Sequence, residues 1–495
     1  MIQSKIPKRP QVRTTLAVGS LLVALTGVRT VSAETALERT AARLRDRALA
    51  SPIAWQLLES LTVEVGQRFA GTSGDRAAVA WAEAKMRELG LENVRTEPVT
   101  VPRWVRGEAR GRIVAPYPQE LMLIALGGSV GTSGISEIGA TGEIGGTGEA
   151  GIEAEVVEVA DLEALEELSD EAVAGKIVFF NKRMERRRDG SSYGETVRVR
   201  SRGPSAAAAK GAVAVLIRSV GTGTHRFPHT GALRYADDAP QVPAAALAIP
   251  DADILELQIR RGGPVRFHLF LGSHTLEDTE SANVIGEVVG RERPDEIVLI
   301  SGHLDSWDVG SGALDDGAGC AISLGAAKLI SELDTAPRRT VRVVLFANEE
   351  FGLSGARAYS EAHRESLGKH QLAIESDFGA GRVWRFAASV RSEAMVATEN
   401  LAKLLAPLAI VHDRTGARGG ADLLFLHPAR VPIADLTQDG THYFDFHHTA
   451  DDTLDKVDRE ALAQNLAAYT TLAYYAAEIE TSFFPAPERP EQPRR

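Results

Sequence analysis

A chain of 495 residues, 44% apolar and 25% charged, can bury a sizeable core and exceeds the usual size of one domain, so two domains are expected. A formal charge of -12 argues against a nucleic-acid-binding surface. The single cysteine, Cys320, excludes an internal disulfide, a zinc ribbon and any thiolate cluster, so a metal would have to be held by His, Asp and Glu.

In chain order, residues 1–33 place Lys5, Lys8, Arg9 and Arg13 before an apolar run from Leu16 to Val28 and the small-residue end "VSA". That is the layout of a secretory signal peptide cleaved after Ala33. The run falls short of the ~20 residues that a spanning helix needs, so an exported protein, periplasmic or secreted and without stable membrane insertion, is expected. Residues 34–110 read as helices and then a strand: "DRAAVAWAEAKMRELG" (75–90) repeats apolar positions at helical spacing and stops at Gly90, and "LENVRTEPVTVPRW" is strand-like. From 111 to 278 a smaller β-rich unit is expected, with strands at "GKIVFF", "VAVLIRS" and "VPAAALAIP" and an Ala-rich helix at "GPSAAAAKGA". Inside it, the Gly-rich stretch 127–151 lacks the Gly-Lys-Ser/Thr of a phosphate cradle and reads as a mobile surface loop; the basic run 181–190 reads as a solvated loop. From 279 to 484 apolar strands alternate with helices, which implies an α/β fold: a mostly parallel sheet with helices on both faces. The Pro-rich end, 485–495, is expected to be disordered.

Open α/β sheets bind ligands beyond the carboxyl ends of their strands. Each such exit carries His or carboxylate here. The first has His303, Asp305, Asp308, Asp315 and Asp316 in "SGHLDSWDVGSGALDDGAG"; the second Glu349 and Glu350 in "LFANEEFGLSG"; the third Asp377 in "ESDFG"; the last the histidines and acids of "QDGTHYFDFHHTADDT". Oxygen and imidazole donors without thiolate, several of them anionic, suit two zinc-like ions about 3.5–4 Å apart that share a carboxylate. Neighbouring strand side chains point to opposite faces, so Glu349 and Glu350 can serve one site only if the backbone leaves strand geometry there, as Gly352 and Gly355 would allow.

The segments "GHLDSWDVGSGALDDGAG", "ANEEFGLSGA", "ESD" and "HHTADDT" closely resemble the motifs of the co-catalytic di-zinc aminopeptidase and carboxypeptidase family, in its carboxypeptidase Q-like branch. The resemblance implies a zinc exopeptidase (phosphorylase/hydrolase-like) fold with an inserted protease-associated domain at 111–278. It also implies two Zn2+ per chain, held by His303, Asp315 as the bridge, Glu350, Asp377 and His448. Glu349 would be the base that activates a water between the metals, Asp305 would orient His303, and the Asp315–Asp316 peptide would be cis. The family pattern His-Thr-x-x-Asp-Thr selects His448 over His447; adjacent side chains are expected to diverge, so that only one of the two binds. The function implied is an exported exopeptidase acting on dipeptides or on terminal residues of short peptides. Its polarity stays open between carboxypeptidase or dipeptidase and aminopeptidase, with His442 and Tyr443 as candidates for closing the cleft. A non-catalytic peptidase-like binding protein and one-zinc glutaminyl cyclase chemistry are the alternatives. A homodimer is possible, and the role of the insert is open.

Overall fold

The computed structural model of the chain describes residues 35–132 and 151–488. The expected signal peptide, the greater part of the Gly-rich stretch and the last residues of the tail lie outside the described residues. Helices α1 (Ala36–Leu49), α2 (Ile53–Ser60) and α3 (Ser73–Glu88) lead into strand β1 (Glu92–Val105). A second unit follows: β2 (Ala109–Ala115), β3 (Gln119–Leu121), β4 (Leu123–Ala125), β5 (Ile152–Val159), α4 (Leu162–Glu166), α5 (Asp170–Val173), β6 (Ile177–Phe180), α6 (Ser191–Ser201), α7 (Gly203–Ala209), β7 (Ala214–Arg218), β8 (Ala244–Leu247), α8 (Ile249–Arg260) and β9 (Arg266–Leu271). The chain returns through β10 (His274–Val288) to β11 (Arg293–His303), α9 (Ala318–Ser331), β12 (Arg339–Phe346), α10 (Ser354–Ala362), β13 (His370–Glu375), β14 (Val383–Ser389), α11 (Met395–Leu405), β15 (Val411–Asp413), β16 (Ile433–Gln438) and α12 (Arg459–Glu478).

The main sheet has the order β1-β10-β12-β11-β13-β16-β14-β15. Its centre, β12-β11-β13-β16, is parallel, as the continuous apolar runs imply; on its flanks the β1-β10, β10-β12 and β16-β14 pairings are antiparallel and β14-β15 is parallel. Ile297, Val298, Leu299 and Ile300 of β11 are all buried, because helices cover both faces. One face carries α1, α2, α9, α11 and α12, the other α10 and the 3-10 turn 422–429. Helix α12 starts where Asp458 accepts a bond from Ala461 N at 2.8 Å, and it is buried along nearly its whole length. Among the described residues no helix is long and apolar enough to cross a membrane.

The second sheet, β3-β2-β9-β5-β6-β7-β8-β4, is inserted between β1 and β10. These two neighbouring strands pair antiparallel down to Val105 against His274, so the insert leaves and returns at one point. Gly107, at φ +63, makes that crossing possible, since a Cβ there would lie 2.5 Å from Gly272 O.

Two loop expectations are corrected. Residues 127–132, the described start of the Gly-rich stretch, are packed: a Cβ on Gly127 would strike the Trp307 ring at 2.1 Å, and Ser129 O accepts the Trp104 indole N–H at 2.9 Å. Glycine is used here for close approach of backbone to ring. The basic run at 181–190 is also not simply solvated. Arg186 bonds Asp445 and Thr441 O, and Arg188 bonds Asp439 at 2.8 Å, so this loop of the insert is tied across to the loop that follows β16. Similarly, Ala486 in the expected disordered tail is buried and exchanges two 2.9 Å bonds with Arg430.

His370 opens β13 fully buried, with Nε2 at 2.9 Å from Tyr359 Oη. Burial, helped by the Arg342 charge, lowers its pKa from 6.5 to about 3. Only the unfolded chain can protonate this ring between those values, so its contribution to stability is complete above pH 6.5 and is lost as pH falls towards 3. By pH 5.5 the loss is about 1.4 kcal/mol. Thermal unfolding at pH 7.5 and 5.5 checks this: His370→Gln should show a smaller drop in Tm than the parent, and an equal drop would refute it.

Candidate metal centre

Because the central strands are parallel and in register, with His303 opposite Phe346 and Ser301 opposite Glu375, their carboxyl ends share one edge of the sheet. His303 ends β11 with no exposed surface. Its Nδ1 lies 3.1 Å from Asp305 O and 3.5 Å from Asp305 Oδ1. The Asp305 carboxylate also accepts from Glu349 N at 2.9 Å and Glu350 N at 3.3 Å. One residue therefore serves both the imidazole of one strand exit, chiefly through its carbonyl, and the turn of the next, through its carboxylate. That turn leaves strand geometry at Asn348, at φ +56, a conformation that asparagine tolerates better than most residues. Asn348 Nδ2 is anchored to Ser354 Oγ at 2.8 Å.

After the β11 loop the Asp315–Asp316 peptide is cis. Asp316 is committed to backbone: it accepts from His303 N at 3.1 Å and from Gly319 N at 3.0 Å. Asp315 is held from the other side, where Asp452 accepts from Leu314 N at 2.7 Å and Asp315 N at 3.2 Å. Sequence reasoning quoted Asp452 within "HTADDT" without giving it this task. Arg68 was missed altogether. It is fully buried and donates to the carbonyls of Gly66, Leu304, Ser311 and Gly312 at 2.6–2.9 Å, which fixes the loop between His303 and Asp315. A lone arginine far upstream gives no sequence signal of that role.

The predicted site residues converge. His303 Nε2 stands 3.2 Å from Asp315 Oδ1 and 3.4 Å from Asp377 Oδ1. His448 Nε2 stands 3.3 Å from Asp315 Oδ2 and 2.9 Å from Glu350 Oε2. Charge-assisted bonds are typically about 2.7–2.9 Å, whereas donors about 2.0–2.2 Å from a tetrahedral ion lie roughly 3.3 Å from one another. Three of the four separations match the second figure, and the two oxygens of Asp315 face different donor groups. Glu350 takes the Trp307 indole N–H on Oε2 at 2.6 Å, and its Oε1 is buried without a hydrogen bond. The Glu349 carboxylate is partly exposed and, among the described residues, accepts no hydrogen bond. Of the other candidates, Asp308 pairs with Arg106, and His442 is exposed beside Asp445, so neither faces the cluster; Tyr443 is buried with its ring 5.0 Å from that of His447.

Crowding sets the electrostatics. Burial, with the Asp377 charge next, pushes Glu349 well above the carboxylate range, and burial with Asp315 pushes Glu350 up to about 7. Burial works against protonated His303, but Asp377, Asp305 and Asp315 outweigh it and hold the ring well above its usual range. Buried acids in this number fit divalent cations as their counter-charge.

The expectation that His447 and His448 diverge is corrected. Their rings stack with centroids 3.5 Å apart, and His447 Nε2 also reaches Asp315 Oδ2, at 3.5 Å. His448 lies at φ +61, in the left-handed region, and this turns both rings to one side. His448 meets two carboxylates and His447 one.

The sequence pattern of peptidase family M28 matches residues 283–473. Carboxypeptidase Q of Rattus norvegicus is 37% identical over 426 residues, which is 86% of this chain and 85% of that protein; the Homo sapiens protein is 34% identical with the same shares. The crystal structure of a peptidase M28 precursor from Shewanella amazonensis SB2B is 44% identical, with a TM-score of 0.87 over 92% of this chain and 99% of its own. BSAP, a zinc aminopeptidase from Bacillus subtilis, reaches 0.62 at 19% identity over 88% and 97%, a likeness of fold alone.

Replacing Asp305 by Ala leaves its carbonyl beside His303 Nδ1 but removes the carboxylate 3.5 Å from that ring and releases the Glu349–Glu350 turn. A fall in zinc affinity of about 10–100-fold is expected in competitive chelator titration, and an unchanged affinity would exclude the orienting role.

Proposed function

The chain belongs to peptidase family M28, and on that footing we propose that it is a two-zinc exopeptidase that trims terminal residues from short peptides or splits dipeptides. The observation that carries this reading is the set of 3.2–3.4 Å spacings among His303, Asp315, Asp377 and His448, in which the two oxygens of Asp315 serve two donor groups. His303 and Asp377 would hold one ion, Glu350 and His448 the other, with Asp315 between them. Bound there, zinc would polarise the scissile carbonyl and acidify the attacking water.

The division of labour between the neighbouring glutamates follows from their bonding. Glu350 is fixed by Trp307 and His448, which suits a ligand. The Glu349 carboxylate has no hydrogen bond among the described residues, yet the Asp305 bond to its backbone N–H keeps it beside the cluster. It would take the proton of the attacking water and return it to the leaving amine. The same carboxylate disfavours a purely binding role, since a binding protein has no use for an unpaired base at that point. Export is proposed on the signal-like residues 1–33, and a protease-associated character of the insert on the resemblance of 111–278.

Glu349→Gln should retain zinc and its fold while kcat falls about 10²–10⁴-fold; near-parental turnover would overturn the base assignment. Polarity is decided by a panel of free dipeptides, the same dipeptides blocked at either end, and aminoacyl-nitroanilides. About two zinc ions per chain with chelator-sensitive cleavage is the expected result. Loss of cleavage on blocking the carboxyl end alone would make the enzyme a carboxypeptidase, and loss on blocking the amine alone an aminopeptidase. One zinc ion per chain would favour cyclase chemistry, and zinc without any cleavage would favour a binding protein.

A further inference from the structure

The two stacked histidines are held by the insert. His229 directs Nδ1 at His447 O (2.7 Å), and Thr230 N donates to His448 O (3.0 Å). In return Thr230 O lies 3.3 Å from His448 Nδ1. A carbonyl can only accept, so Nδ1 carries the proton and Nε2 presents its lone pair to Asp315 and Glu350, the tautomer that a metal ligand requires. These bonds also hold the left-handed backbone at His448.

Thr230 is itself fully buried and bonded at every polar atom. Its Oγ1 donates to Ala125 O at 3.1 Å and accepts from Arg106 Nη1 at 2.8 Å, and its carbonyl also accepts from Arg200 Nη1 at 3.3 Å. Arg106 stands where β1 hands the chain to the insert. It bonds both oxygens of Asp308 in the β11 loop and Ala125 O in the insert, and lies over the Trp104 and Trp307 rings at 4.9 and 5.5 Å. Trp307 is the residue that bonds Glu350.

From this we propose that the insert is an obligate part of the metal centre: Thr230, clamped by Arg106, is the positioning residue for His448, and the clamp sets the affinity of the ion that His448 and Glu350 would share. The inference rests on the two-zinc reading above. It assigns the insert a task at the catalytic end of the sheet besides any it has towards substrate.

The experiment is a competitive chelator titration of zinc into the metal-stripped full chain, with thermal unfolding of each metal-free variant. Thr230→Val keeps shape but loses the hydroxyl bonds, and Arg106→Met removes the clamp. Each should weaken one of the two zinc sites by about 10–100-fold while the other site is unchanged, and Thr230→Ser should restore parental affinity. Parental zinc affinity in a folded Thr230→Val or Arg106→Met would overturn the proposal, as would equal losses in Thr230→Ser and Thr230→Val. If Thr230→Val and Arg106→Met do not fold, Arg106→Lys decides by the same criterion, because lysine keeps the charge beside Asp308 but cannot hold Asp308, Ala125 and Thr230 at once. A parent protein that binds no zinc would instead refute the two-zinc reading, a distinguishable failure.

Discussion

Crowded carboxylates repel one another unless cations stand among them, and this fold packs Asp315, Glu349, Glu350 and Asp377 around His303 at the end of a parallel sheet. The raised pKa values of Glu349 and Glu350 express that cost, through burial and the charges of Asp377 and Asp315. Much of the surrounding structure is arranged to keep these groups within reach of one another despite it. The strands align their exits, and the loops beyond them are tied by hydrogen bonds to main-chain groups, so the cluster cannot relax by swinging apart.

Those ties have a common form. A further layer of acids, Asp305, Asp316 and Asp452, points away from the cluster centre and accepts backbone N–H groups. Each converts a flexible exit loop into a fixed mount. Arg68 completes the layer from the opposite sign, with its guanidinium spent on three carbonyls of the loop after β11 and on that of Gly66. A buried arginine without a carboxylate of its own is costly in isolation, and the carbonyl dipoles compensate it here.

The insert follows the same logic. Because β1 and β10 pair as neighbours, the second sheet is anchored beside the catalytic edge, and its loops come back over it: residues 181–190 against the loop after β16, residues 127–129 against Trp307, and residues 229–230 against the paired histidines. A surface loop with that many partners is an internal interface. Its glycine and arginine content reflects close approach and ion pairing across that interface.

What could be read in the sequence alone was what depends on local pattern. Apolar runs of strand length between helical repeats specified the α/β class, and the recurrence of His and carboxylate at four strand ends placed the candidate site, since parallel strands must share one exit edge. The family resemblance of those motifs picked out His303, Asp305, Asp315, Glu349, Glu350, Asp377 and His448, and the structure brings them together. Tertiary structure alone decided the rest. The stacking of His447 on His448 depends on a single left-handed residue held by bonds from a segment about 220 positions earlier, and the packing of Gly127 depends on the Trp307 ring in the loop after β11. Arg68 and Thr230 act through main-chain atoms, which every residue possesses, so their partners leave no mark on the sequence. Side-chain chemistry is written locally, but the contacts that aim it are made between distant parts of the chain.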